Sequence, residues 1–136
     1  MRIFKTKGFA QFCAKEAIDD AHLLLATKEI AAGLIHAPLG SGLFKQRIAR
    51  VGGGKSGGHR TILVFRSGQL ALFIFGFNKR DQDNIGPARL QQLRHIAATV
   101  LKLEITEIEA ELKVGRWLEI IDHEEDLQGS VEPSDS

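Results

Sequence analysis

The sequence predicts an α+β domain in which helices pack on a small, mainly antiparallel, twisted sheet. Residues 8–17 and 19–33 carry apolar side chains at the three- and four-residue spacing of amphipathic helices. Three strand-like segments then follow between residues 43 and 77, joined by short glycine-containing connections. Helical spacing returns after residue 85. This order predicts two N-terminal helices packed on the sheet, followed by one or two C-terminal helices.

The N-terminal part of the chain supplies a short strand and two helices. Residues 2–6 alternate weakly, which predicts a first strand. The buried stripe of the first helix comprises Phe9, Phe12, Cys13 and Ala17. The second helix begins near Asp19 or Asp20, because either is a suitable N-cap, and it ends at Gly33. Since the two helices are short and adjacent, we expect them to form a hairpin.

The middle of the chain predicts an antiparallel meander. An irregular connection, rich in turn residues, leads into it and contains His36, Pro38, Gly40 and Gly42. In the first strand, residues 43–51, Lys45 and Arg47 share one face. The second strand, residues 60–66, alternates between two faces, and the third, residues 70–77, is apolar on both. The third strand is therefore predicted to lie centrally in the sheet.

The C-terminal part predicts two further helices and a last strand. A helix begins near residue 84 with Pro87 in its first turn, where proline is tolerated. A shorter helix covers residues 106–113, and its opening T-E-I-E sequence predicts Thr106 as the N-cap. Residues 116–121 are a candidate strand. Residues 1–121 therefore form the predicted domain, and residues 122–136 are an acidic tail that we expect to be disordered.

Composition restricts the classes of protein to consider. A chain of 136 residues is large enough for one domain with its own core. Its single cysteine, Cys13, lies among apolar residues, so we expect a buried thiol, no disulfide and a reducing, cytoplasmic location. The longest apolar stretch, residues 70–77, is far shorter than the roughly 20 residues that a membrane-spanning helix needs. We expect a soluble protein without a membrane partner.

The charge distribution is strongly uneven. Six of the 17 acidic residues lie in residues 122–136, which contain no Lys or Arg, so residues 1–121 hold 18 basic and only 11 acidic side chains. Residues 42–80 contain no Asp or Glu at all. Their basic residues are Lys45, Arg47, Arg50, Lys55, Arg60, Arg66, Lys79 and Arg80. A one-sided charge of this kind indicates a site for a polyanion.

The glycine-rich segment in the middle of this region superficially matches a nucleotide-binding loop. Residues 49–56, ARVGGGKS, fit the looser form of the phosphate-binding motif. That loop requires a helix directly after its Lys-Ser pair, whereas here Gly57, Gly58 and the strand-like RTILVFR follow. We therefore interpret the glycines as a hairpin connection that carries Lys55.

Two motifs in this region resemble a known family. They are Lys55-Ser56-Gly57-Gly58-His59-Arg60-Thr61 and a segment from Gly76-Phe77-Asn78-Lys79 to Asn84-Ile85. They resemble the RelE-like toxins of bacterial type II toxin–antitoxin systems, within the branch that carries a KSGG-aromatic-RT strand and a GF-x-K-x-x-x-x-NI segment. The order of elements over residues 1–115 is similar as well.

The resemblance implies a RelE-like α+β fold and metal-independent cleavage of mRNA at the ribosome, without a cofactor. In such enzymes the ribose 2′-hydroxyl attacks the adjacent phosphate. Neutralisation by a cognate antitoxin, of the helix-turn-helix type, is also implied. The alternative is a non-catalytic module on the same fold that binds RNA or only the antitoxin.

The same resemblance, combined with the charge pattern, gives candidate site residues. Guanidinium groups suit the pentacoordinate phosphate because it gains negative charge. The catalytic candidates are Arg60, Lys79, His59, Lys45 and Arg47. The candidates for RNA binding are Lys55, Arg50, Arg66 and Arg80. The remaining histidines, which are His22, His36, His95 and His123, show no metal-ligand spacing, and we expect them to be structural or exposed.

Two departures from the family pattern leave alternatives open. The chain has no tyrosine, and His59 stands where this branch commonly has an aromatic residue. His59 is thus either an acid, base or stacking partner, or a strand-start residue exposed to water. The acidic tail is not part of the shared pattern, and shielding of the basic face is one alternative for its role.

Overall fold

The computed structural model describes residues 1–48, 58–78 and 85–122. In these residues four helices accompany a six-stranded sheet. In chain order the elements are β1 (Arg2–Thr6), α1 (Lys7–Glu16), α2 (Asp20–Ala31), β2 (Ala37–Gly40), β3 (Leu43–Ile48), β4 (His59–Arg66), β5 (Leu70–Asn78), α3 (Pro87–Val100), α4 (Ile105–Lys113) and β6 (Trp117–Ile120). The predicted α+β class is confirmed. The predicted boundary at residue 122 stays a prediction, because residues 123–136 lie outside the described part.

The sheet has the strand order β2-β3-β4-β5-β1-β6. Strands β3, β4 and β5 form the predicted antiparallel meander, and β5 lies inside the sheet as its apolar sequence predicted. The first strand, β1, pairs in parallel with β5 and antiparallel with β6. The sheet is therefore mixed, with one parallel pair among mainly antiparallel ones.

Strand β2 corrects the prediction of an irregular connection. Ala37 and Pro38 pair with Lys45 and Phe44 of β3, so this segment is the edge strand of the sheet. Proline is compatible with an edge position because its missing N–H does not have to join the hydrogen-bonded ladder. Arg94 of α3 holds the strand in place, donating from Nε to the carbonyl oxygen of Leu39 at 2.7 Å.

The helix ends follow their capping residues, with one correction. Asp19 is the N-cap of α2, as predicted, and its carboxylate accepts from the backbone N–H of His22 at 3.2 Å. Helix α4 begins earlier than the sequence motif indicated, because its N-cap is Glu104 and not Thr106. The backbone N–H of Glu104 donates to the carboxylate of Glu107 at 2.8 Å, so the reciprocal contact lies two residues upstream of the predicted one.

Two hydrophobic clusters lie on the two faces of the sheet. One face, which we call the α3 face, carries Leu43, Ile62, Val64 and Leu72 packed with Leu93 and Ala97 of α3. The opposite face, the α1 face, carries Leu63, Phe65 and Phe73 packed with residues of α1 and α2, including Phe9, Cys13, Leu23 and Ile30. Alternate residues of β4 thus enter different clusters, in agreement with the predicted alternation of this strand between two faces.

Helix α1 packs closely on the sheet through aromatic rings. Phe9 stacks on Phe73 with ring centroids 5.4 Å apart. Cys13, on the same stripe, is 3% exposed, which confirms the predicted buried thiol, and burial raises its pKa to about 11. Gly76 of β5 leaves room for the Phe12 ring, which a Cβ atom at this position would overlap.

Replacing Gly76 with alanine should therefore destabilise the protein. The Phe12 ring must move to admit the methyl group, and overpacking of this kind costs about 1–3 kcal/mol. Gly8→Ala is the matched control, because nothing lies within 4 Å of its Cβ position and alanine favours helix α1 by up to about 1 kcal/mol. Urea denaturation measures both. A Gly76→Ala protein as stable as the wild type would contradict the close contact with Phe12.

Candidate functional site

Three basic side chains lie together on the α3 face of the sheet. Arg60 of β4 and Arg47 of β3 are direct cross-strand partners. Lys45 lies two residues before Arg47 and pairs with Ile62, a member of the α3-face cluster. We call Lys45, Arg47 and Arg60 the cationic cluster. Like charges directly opposite each other destabilise a strand pair, so this arrangement is not one that stability alone would favour.

Arg60 is the most buried member of the cluster. It is 9% exposed, and its Nη1 donates to the carbonyl oxygen of Gly58 at 3.3 Å. Burial, followed by the charge of Arg47, holds the pKa of the guanidinium below its ordinary value. Among the described residues, no carboxylate forms an ion pair with Arg60. A buried cation without an anionic partner is costly, and an anionic ligand would supply that partner.

Gly58 leaves space for the guanidinium group of Arg47. A Cβ atom at residue 58 would lie 3.3 Å from Nε of Arg47 and 3.6 Å from Nη1 of Arg60. It would also lie 3.4 Å from the carbonyl oxygen of Ile48. The absent side chain therefore lets Arg47 approach the backbone at the start of β4, whereas the distance to Arg60 is an ordinary van der Waals contact.

His36 is exposed, as expected, and it lies near enough to the cationic cluster to feel its charges, which no sequence pattern indicated. Burial lowers the pKa of its imidazole, and the charges of Lys45, Arg60 and Arg47 lower it further. Its backbone N–H donates to the side chain of Gln46 at 3.0 Å, which fixes the segment against β3. His36 and Arg47 line one groove of about 490 Å³ between α2 and β3. A neutral imidazole next to three cations is able to accept a proton.

His59 lies on the other face of the sheet from Arg60. It is 4% exposed, so the alternative of a water-exposed strand-start histidine is wrong. Its Nε2 lies 3.2 Å from Oε1 of Glu16 in α1, and its ring meets Phe12 edge-on with centroids 5.9 Å apart. The structure therefore separates His59 from the cationic cluster, because adjacent residues of a strand point to opposite faces.

Glu16 and Asn78 complete a second polar group, on the α1 face. Oε1 of Glu16 also accepts from Nδ2 of Asn78 at 3.0 Å. The hydrogen bond from Asn78 and then the contact with His59 lower the pKa of the Glu16 carboxyl, against the opposing effect of burial. These residues were not among the candidates, because no sequence pattern connects a helix residue with strand residues 43 and 62 positions away.

The other candidates do not join the cluster in the described residues. Arg66 is exposed at the opposite end of β4, about 20 Å along the strand from Arg60 at 3.3 Å per residue. Lys79, Arg80, Arg50 and Lys55 lie outside the described residues, as does the motif of residues 49–56. Strand β4 begins at His59, directly after Gly58.

The described residues also bear on metals and membranes. In residues 1–48, 58–78 and 85–122, no group of three His, Cys, Asp or Glu side chains is placed to hold a metal ion. None of the helices in the same ranges is long and apolar enough to cross a bilayer.

The comparison with known families identifies the chain. The model of the RelE toxin of the RelE/RelB toxin–antitoxin system matches residues 1–120, which include every helix and strand described above. The chain belongs to the RelE toxin family. No curated protein matches it. The family resemblance of the two sequence motifs is confirmed, and the chain is a toxin of a toxin–antitoxin system.

In this RelE-family toxin, neutralising Lys45 should raise the pKa of His36. The nearby positive charges disfavour the imidazolium form, so the removal of one charge makes protonation easier. An NMR titration of the His36 ring in Lys45→Gln measures the change. Arg66→Gln is the control, because Arg66 lies at the far end of β4 and should leave the His36 pKa unchanged. An unchanged His36 pKa in Lys45→Gln would place the imidazole away from the cluster.

Proposed function

We propose that this RelE-family toxin is an mRNA endoribonuclease that works without a metal ion. The observation that carries the proposal is Arg60, a buried guanidinium with no ion-pair partner in the described residues and with a second arginine directly opposite it. RNA brings the missing negative charge as a phosphate. The absence of Asp and Glu from residues 42–80 favours the approach of a polyanion to this part of the molecule.

The proposed reaction is attack of a ribose 2′-hydroxyl on the adjacent phosphate. The 2′-oxygen loses its proton and bonds to phosphorus, the bond from phosphorus to the 5′-oxygen breaks, and that oxygen takes up a proton. The pentacoordinate phosphate carries more negative charge than the ground state. Arg60 and Arg47 stabilise it by charge-assisted hydrogen bonds, with Arg60 buried and Arg47 exposed to solvent.

The residues that transfer protons in this reaction are expected to lie near the cationic cluster. His36 is the candidate base in the described residues, because its pKa is lowered by burial and by the cations of the cluster. Lys79 remains a candidate from the family resemblance, at the position directly after β5. His59 is on the opposite face, so we give it no proton-transfer role. Lys45 supports the cluster through its charge.

The proposal also includes the partners of the toxin and its location in the cell. The substrate is mRNA on translating ribosomes, and Lys55, Arg50 and Arg80 are the further candidates for binding RNA. Arg66, at the far end of β4, contacts ribosomal RNA or the antitoxin. The toxin acts in the cytoplasm, and its cognate antitoxin is a helix-turn-helix protein encoded beside it.

Arg60→Ala should lower mRNA cleavage by about 10²–10³-fold, the cost of removing one preorganised donor from a charged transition state. Induced expression with mapping of mRNA 5′ ends, with and without the neighbouring gene, measures this. Arg116→Ala is the matched arginine control, because Arg116 is an exposed residue paired with Glu111 and away from the cationic cluster, and it should cleave normally. No cleavage by the intact protein in the presence of ribosomes and mRNA would favour a non-catalytic binding module. Full cleavage by Arg60→Ala would refute the assignment of the site.

Arg60→Met should make the protein more stable while it lowers cleavage as strongly as Arg60→Ala does. The substitution replaces a buried charge that lacks an ion-pair partner with an apolar side chain of similar length, and such changes commonly add about 0.5–2 kcal/mol. Urea denaturation and the cleavage assay are made on the same preparation. If Arg60→Met were less stable than the wild type, Arg60 would stabilise the fold. The idea that its burial costs stability and serves only the function would then be wrong.

A further inference from the structure

We propose that Glu16 is a positioning residue for the cleavage site, an inference that rests on the function proposed above. Its carboxylate lies on the α1 face and binds the ends of β4 and β5 together. Those ends carry Arg60 on the other face of the sheet. Glu16 therefore acts on the reaction through the backbone that holds Arg60, without touching the RNA.

One carboxylate oxygen makes both contacts. Oε1 of Glu16 lies 3.2 Å from Nε2 of His59 and accepts from Nδ2 of Asn78 at 3.0 Å. His59 and Asn78 are direct partners in the β4–β5 ladder and form its last described pair at this end. The same oxygen thus bridges the two strands from outside the ladder and fixes both to helix α1.

The surroundings make this bridge strong. His59 and Asn78 are 4% and 5% exposed, and the Glu16 side chain is 14% exposed. The two contacts lower the pKa of the Glu16 carboxyl, so it is ionised at neutral pH. Hydrogen bonds to an ionised carboxylate are about twice as strong as those between neutral groups.

The bridge lies next to the cationic cluster in the ladder. The pair that follows His59 and Asn78 is Arg60 with Phe77, and Arg60 also pairs with Arg47 across to β3. Strand ends open more easily than strand centres. Opening of the His59–Asn78 pair would free the backbone of Arg60, and a displacement of about 1 Å is enough to lower a rate strongly.

His59 shows that this arrangement is not explained by stability alone. Its Nδ1 is buried and has no hydrogen-bond partner among the described residues. A buried polar atom of this kind destabilises the fold, and a phenylalanine would make the same edge-on contact with Phe12 without that cost. The histidine adds the Nε2 contact with Glu16, which is the contact that the proposed role requires.

The test compares Glu16→Ala and Glu16→Gln with Glu111→Ala, a carboxylate removal on α4 that breaks the ion pair with Arg116 and none of these contacts. Amide hydrogen exchange reports opening at the ends of β4 and β5, and cleavage kinetics report kcat and KM. In Glu16→Ala we expect amide exchange near Arg60 and Phe77 to be at least tenfold faster than in the wild type. Exchange in the middle of the two strands should change much less. We expect kcat to fall at least tenfold with KM within threefold.

Two variants separate positioning from general destabilisation. Glu16→Gln keeps an acceptor oxygen, so it should recover most of the lost kcat. His59→Phe keeps the contact with Phe12 and removes Nε2, so it should lower kcat in the same way, and it replaces Glu16→Ala if that variant does not fold. Wild-type kcat in Glu16→Ala or His59→Phe, or an equal loss in Glu111→Ala, would overturn the inference.

The outcome also separates this inference from the proposed function. A wild-type protein that does not cleave RNA overturns the function and with it the role of Glu16 in cleavage. An active wild-type protein with an unaffected Glu16→Ala variant overturns only the role of Glu16. Unchanged hydrogen exchange in Glu16→Ala overturns the bridge between β4 and β5 whatever the activity.

Discussion

The pairing of β4 with β5 is the interaction on which the rest of this RelE-family toxin depends. Its register runs from His59 with Asn78 to Arg66 with Leu70, and both strands are buried over most of their length. Side chains on one face enter the α3-face cluster and those on the other enter the α1-face cluster. The ladder therefore connects two separate cores. Any group at its end is held by both, which suits a site that requires fixed geometry.

The polar groups on the two faces of the sheet at the start of β4 differ in whether their charges have partners. On the α1 face, an acidic residue receives hydrogen bonds from its neighbours. On the α3 face, Arg60 and Arg47 face each other, and the described residues provide no carboxylate for Arg60. Most of β4 carries apolar side chains that suit a buried strand. The like-charge pair of Arg60 and Arg47, at the beginning of β4, is the pair that sheet stability disfavours. Such local violations are typical of functional sites, where the missing partner is the ligand.

Sequence reasoning was reliable where periodicity determined the answer and failed where distant contacts did. The strands and helices followed from apolar spacing, but β2 was missed because Pro38 suggested a turn, and only its position at the sheet edge admits proline. The charge pattern and the family resemblance selected Arg60, Arg47 and Lys45, and the structure places these three on one face of the sheet, while their catalytic role stays a prediction. His59 was grouped with Arg60 by residue type, although strand alternation separates them. Glu16 and His36 depend on tertiary packing, which leaves no local pattern.

The position of β1 between β5 and β6 affects how a cell makes this toxin. The first strand pairs with the last described strand, and Arg2 binds Glu119 across 117 residues with two hydrogen bonds of 2.8 Å. During translation β1 has no partner on that side until residues 117–120 have left the ribosome. Contacts of such long range also form slowly. The sheet is therefore completed only after residues 117–120 have been synthesised and are free to pair with β1.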